Sequence, residues 1–120
     1  KFIIWGAGHQ SLCVISKFKL KNNIEYIVDS DINKQNKFSP GSNIKIFSPT
    51  KLINEKKVVN ILIIAGGYSS EIEKIIKKKF KKFNIFIFNK KKIYNYFSLI
   101  TVYQVFEYFH FKNYFLIIFT

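Results

Sequence analysis

Arginine and methionine are both missing from this 120-residue chain, cysteine occurs once, proline twice and glycine five times. Without arginine there is no planar fork for bidentate reading of phosphates or guanine edges. The net charge of +13, all of it carried by lysine, therefore does not by itself read as a nucleic-acid interface. The lysines cluster in residues 74–82 and 90–92, a helix end and a loop, where cations suit the helix dipole and a solvated face. The single cysteine excludes an internal disulfide and a cysteine-rich metal site. Cys13 falls on the apolar side of a first helix and reads as a small buried hydrophobe. No triad, carboxylate pair or metal cluster is spelled out, so the sequence assigns no catalytic residue and no metal ligand. No secretory signal precedes the first apolar run, which favours a cytoplasmic setting. The chain enters that run directly from Lys1, as a piece of a longer polypeptide would, and its length suits one small domain.

What is present begins with Phe2-Ile-Ile-Trp-Gly6-Ala-Gly8-His9-Gln10-Ser11. This reads as a buried strand, a tight glycine turn and a helix over about residues 9–20, with Leu12, Ile15, Ser16 and Leu20 on its apolar face. The spacing Gly6-x-Gly8-x-x-Ser11 is a degenerate dinucleotide fingerprint with serine at the third glycine. It is compatible with a phosphate or nucleotide site and equally with a plain structural turn. His9 suits a hydrogen bond to a sugar or phosphate oxygen, or capping of its own helix. A second strand over residues 24–28 ends at Asp29, placed either to hold a ribose hydroxyl or to cap its own turn. Residues 31–44 form a long polar loop of the kind that often carries function. Residues 44–46 suit a brief strand, and Ser48-Pro49 a helix start over residues 50–54.

The run over residues 58–65 is the clearest strand and suits the middle of a parallel sheet. It ends in Gly66-Gly67-Tyr68-Ser69-Ser70, a second glycine turn feeding a second helix to about residue 80, with Ser69 or Ser70 as cap. Residues 84–88 make a last strand. Strands alternating with helices predict an α/β, small Rossmann-like three-layer domain with a parallel sheet over residues 1–92. Residues 93–120 then change character. Eleven of these 28 are Phe or Tyr, glycine and proline are absent, and no periodicity persists. Glu107, His110 and Lys112 interrupt the apolar runs before the ~20 residues that a membrane span needs. A membrane contact, a packed terminal helix and a tail that merely echoes A+T-rich coding all remain open for this segment.

Three segments in combination resemble a family. They are Trp5-Gly6-Ala7-Gly8-His9-Gln10-Ser11; then Tyr26 to Ser30, Lys34-Gln35, Phe38, Pro40-Gly41, Ile44, Ile46 and Ser48-Pro49; and Ile61 to Ala65 followed by Gly66-Gly67-Tyr68 and Glu71-Ile72. Over about residues 2–80 this order is similar to the C-terminal domain of sugar C-methyltransferases. Asn36 stands where that family commonly has Gly, and Gly66-Gly67 where it often carries Trp-Asn. The resemblance implies a domain that helps to bind or cover a nucleotide-sugar type substrate, while an upstream methyltransferase domain binds S-adenosylmethionine. No cofactor is then expected in this chain, and the chain alone is not expected to be active. The implied substrate-binding residues are Gly6, Gly8, His9, Gln10 and Ser11 on the first turn, Lys34 and Gln35 in the long loop, and Gly66, Gly67, Tyr68 and Ser69 on the second turn. A weaker resemblance is to the nucleotide-sugar-binding N-terminal domain of sugar acyltransferases. A basic module that binds nucleic acid or membrane is the rival from another class.

Overall fold

A computed structural model describes residues 1–80, 82–88 and the backbone of residues 93–95. Five strands run parallel: β1 (Phe2–Trp5), β2 (Ile24–Val28), β3 (Ile46–Phe47), β4 (Val59–Ile63) and β5 (Phe83–Phe88). A sixth, β6 (Ile93–Asn95), pairs antiparallel with β5 at the edge, giving the order β3-β2-β1-β4-β5-β6. The sequence placed residue 93 at the start of the aromatic tail; its first three residues extend the sheet, and residues 96–120 lie outside the described residues.

Helices cover both faces, as the parallel part of the sheet requires. α1 (His9–Lys17) sends Val14 and Ile15 onto one face, against Phe2, Ile4, Ile27, Leu62, Ile64 and Phe86. α2 (Ser69–Lys79) and the short 3-10 turn Pro49–Asn54 cover the other with Ile76 and Leu52, against Ile3, Trp5, Val28, Ile61 and Ile63. Every residue of β1 is buried, because successive side chains go to opposite layers and both layers are apolar. Edge-to-face contacts of Trp5 with Phe80 and of Phe80 with Phe83 add to the second layer. This is the three-layer α/β arrangement expected, with a Rossmann-like order 3-2-1-4-5.

Several local expectations shift. α1 stops at Lys17; Lys19 takes a left-handed φ of 53°, and Leu20 is buried from a following 3-10 turn. The buried stripe of α1 is Ser11, Val14 and Ile15, not Leu12, Ile15 and Ser16, so Ser16 and Cys13 point outward. Cys13 is exposed, its Sγ 3.4 Å from His9 Nε2, which corrects the buried-hydrophobe reading. Ser48 caps its turn by accepting from the Thr50 N–H, with Pro49 in the first position as expected. Asn36 has φ 63°, a left-handed backbone that Asn adopts more readily than most non-glycine residues. Among the described residues no helix is long and apolar enough to cross a membrane.

Candidate ligand crevice at the carboxyl edge

β1 lies between β2 and β4, and the chain order reverses on its two sides. In open α/β sheets, the crevice for a ligand opens at such a point, beyond the carboxyl ends of the strands. Both glycine turns emerge there, one after β1 and one after β4.

The first turn is held from every side. Gly6 has φ +119°, and a Cβ built on it would come within 2.3 Å of the Ile64 carbonyl oxygen. Only glycine lets the end of β1 approach the end of β4 this closely. The Gly6 N–H donates to Val28 O at 2.8 Å, and the Ala7 N–H donates to Asp29 Oδ2 at 2.7 Å. Ser11, where a third glycine would stand, is fully buried; its hydroxyl lies 2.5 Å from Gly6 O and 3.1 Å from Ile64 O. Its side chain therefore fastens α1 to both strand ends and is spent inside the fold. Of the first-turn residues, Gly6 and Ala7 have their N–H groups taken. Those of Gly8, His9 and Gln10, at the start of α1, meet no acceptor among the described residues. Gly8 is extended (φ −88°, ψ 176°), and a Cβ there would meet nothing within 4 Å.

Lys34 and Gln35 are brought to the same edge, where both engage Asp29. Lys34 Nζ lies 3.4 Å from Asp29 Oδ2 and 3.9 Å from Asp31 Oδ2, and Gln35 Nε2 donates to Asp29 O at 2.9 Å. The surrounding loop is pinned to β3 as well, through Asn36 N to Ile46 O and Ile46 N to Lys37 O. The loop thus serves as a brace under Asp29. That carboxylate caps its own turn by accepting from the Asp31 N–H at 2.8 Å and at the same time holds the glycine turn.

The second turn is open by contrast. Residues 66–68 form a single 3-10 turn, all three exposed, with Gly66 at φ +54°. A Cβ on Gly66 would lie 3.7 Å from Gln10 Oε1, so the two turns stand side by side. Neither Ser69 nor Ser70 caps α2 through its side chain. Ser69 is buried, and its hydroxyl has no hydrogen-bond partner among the described residues. One turn further along α2, the buried Glu73 is paired with Lys77.

The groups that this edge presents among the described residues are hydrogen-bonding ones. The phenol of Tyr26 is pushed far up by burial first and then by its hydrogen bond to Glu55, so it stays protonated. A separate groove of about 400 Å3 lies beyond β3, lined by Asn36, Phe47, Lys51 and Asn54 among others. Lys51 Nζ sits 4.4 Å over the Phe47 ring there. Sequence reasoning missed this groove, and nothing in residue spacing announces it. It also missed Asp29 as the anchor of the first turn; the only signal was an acidic residue one strand after a glycine turn.

A family model described as the C-methyltransferase C-terminal domain matches residues 1–89, which takes in the whole parallel sheet and both turns. The search of curated proteins returned no match.

Proposed function

The chain belongs to the family of C-methyltransferase C-terminal domains, and from that premise we propose that it helps to bind and cover a nucleotide-sugar type substrate during methyl transfer to carbon. The observation that carries this reading is that the N–H groups of Gly8, His9 and Gln10, unspent among the described residues, stand beside the open second turn at one edge of the sheet. Backbone donors at a helix start suit a phosphate or sugar oxygen. His9, Gln10 and Tyr68 offer further polar contacts and one aromatic surface. The methyl donor, S-adenosylmethionine, belongs in an upstream domain on this reading, as the family resemblance implies. This chain's part is to hold and shield the acceptor, and no proton transfer is assigned to it.

Gly8→Val tests the proposal with little risk to the fold. The backbone at Gly8 is one that valine adopts, and its side chain enters open space. Thermal unfolding is expected to stay within ~0.5 kcal/mol of the parent. Affinity for a nucleoside-diphosphate sugar, titrated at matched ionic strength, is expected to fall at least tenfold. Unchanged affinity in the folded variant would remove this turn from the site.

A further inference from the structure

We propose that Asp29 is a specificity-determining residue: a built-in anion that fills the N–H position of the glycine turn and closes the β2 side of the crevice to diphosphates and ribose diols. A strand–glycine turn–helix unit ordinarily presents its turn N–H groups to a ligand phosphate, and an acidic residue after the next strand to the ribose. Here the second group is turned onto the first. Asp29 Oδ2 takes the Ala7 N–H at 2.7 Å and the Lys34 ammonium at 3.4 Å, while Oδ1 takes the Asp31 N–H at 2.8 Å. A carboxylate has about four acceptor positions, so at most one is left, whereas a ribose diol needs two. A phosphate brought to the Ala7 N–H would have to share that donor with a carboxylate whose side chain is only 13% exposed, where like charges repel strongly. The other flank is closed by contact, since Gly6 leaves no room against Ile64 O. The brace of Lys34, Asp31 and Gln35 keeps the carboxylate in place from behind. The closure does not depend on which ligand occupies the β4 side, so it stands apart from the nucleotide-sugar reading.

The test follows the Ala7 amide signal in the isotope-labelled full chain while inorganic pyrophosphate or S-adenosylmethionine is added. Ionic strength is held constant with chloride to suppress binding by the lysines. In the parent no saturable shift of Ala7 is expected with either probe up to the highest concentration titrated, which sets the affinity limit against which the variants are read. Asp29→Ala frees that N–H and removes the charge, so pyrophosphate affinity read at Ala7 is expected to rise at least tenfold. Asp29→Asn keeps an oxygen acceptor for Ala7 while losing the charge and the acceptor of the Asp31 N–H; it is expected to fold and to gain about threefold, and it decides the matter if the alanine variant does not fold. A saturable shift of Ala7 in the parent with either probe overturns the proposal. So does a folded Asp29→Asn protein with no gain at Ala7, because a merely structural aspartate would change stability alone.

Discussion

The two glycine turns have the same grammar, a buried strand, a glycine pair and a helix, yet the fold treats them in opposite ways. The turn after β1 is closed by hydrogen bonds from both neighbouring strand ends, through Val28, Asp29 and Ile64. Among the described residues the turn after β4 has one short backbone bond, Tyr68 N to Ala65 O at 3.1 Å, together with exposed glycines and a buried serine hydroxyl without a partner. Position in the sheet explains the contrast. β1 is central, with β2 and β4 on its flanks and α1 fastened over it, so its end is crowded. The β4 end adjoins the already closed β1 turn on one side and leaves its own turn to solvent. Segments with few fixed bonds open at lower free-energy cost, which suits the second turn to adapting around a ligand and the first to setting the frame. Glycine is needed in the first turn because atoms meet there; in the second it keeps space open.

The contrast breaks most visibly at Gly6. Gly6→Ala combines a positive φ with a Cβ driven onto the Ile64 carbonyl, and neither the strand end nor the turn has room to yield. A loss of more than about 3 kcal/mol is expected in urea unfolding, up to failure to fold. Parent-like stability would mean that the ends of β1 and β4 do not approach as described. Ser11→Ala comes next. It removes the buried hydroxyl that serves Gly6 O and Ile64 O and is expected to cost about 2 kcal/mol in the same measurement.

Much of this frame was legible in the sequence because it rests on local signals. Apolar runs of strand length, a glycine turn at each strand end and Ser48-Pro49 at a helix start gave the element order and the parallel sheet. The opening of both turns on one edge followed from topology. Less legible was anything decided by contacts between distant residues. Ser11 looked like a ligand-facing position because only sequence spacing was available, and its hydroxyl bond to Ile64 spans 53 residues. Lys34 and Gln35 looked like free loop side chains because no local rule shows that they converge on Asp29. The outward turn of Cys13 and Ser16 came from a buried stripe set by Ser11, Val14 and Ile15. A serine at zero exposure is not what an apolar-periodicity count looks for.

Ser69→Ala is the smallest expected effect on stability and the sharpest test of the comparison, because it makes the same chemical change as Ser11→Ala in the opposite turn. Both hydroxyls are buried, but that of Ser11 reaches two carbonyl oxygens and that of Ser69 reaches none among the described residues. Burying a hydroxyl without a partner is unfavourable, so its removal gives back part of that penalty. Unfolding free energy is therefore expected to stay within about 0.5 kcal/mol of the parent or to rise slightly. Affinity for a nucleoside-diphosphate sugar is expected to stay within about twofold of the parent, because a buried hydroxyl does not reach a ligand in the crevice. A variant that loses as much stability as Ser11→Ala would show that the second turn is braced like the first, and the distinction between frame and adaptable wall would fall. Loss of affinity without loss of stability would place the hydroxyl of Ser69 on the ligand's side of the crevice.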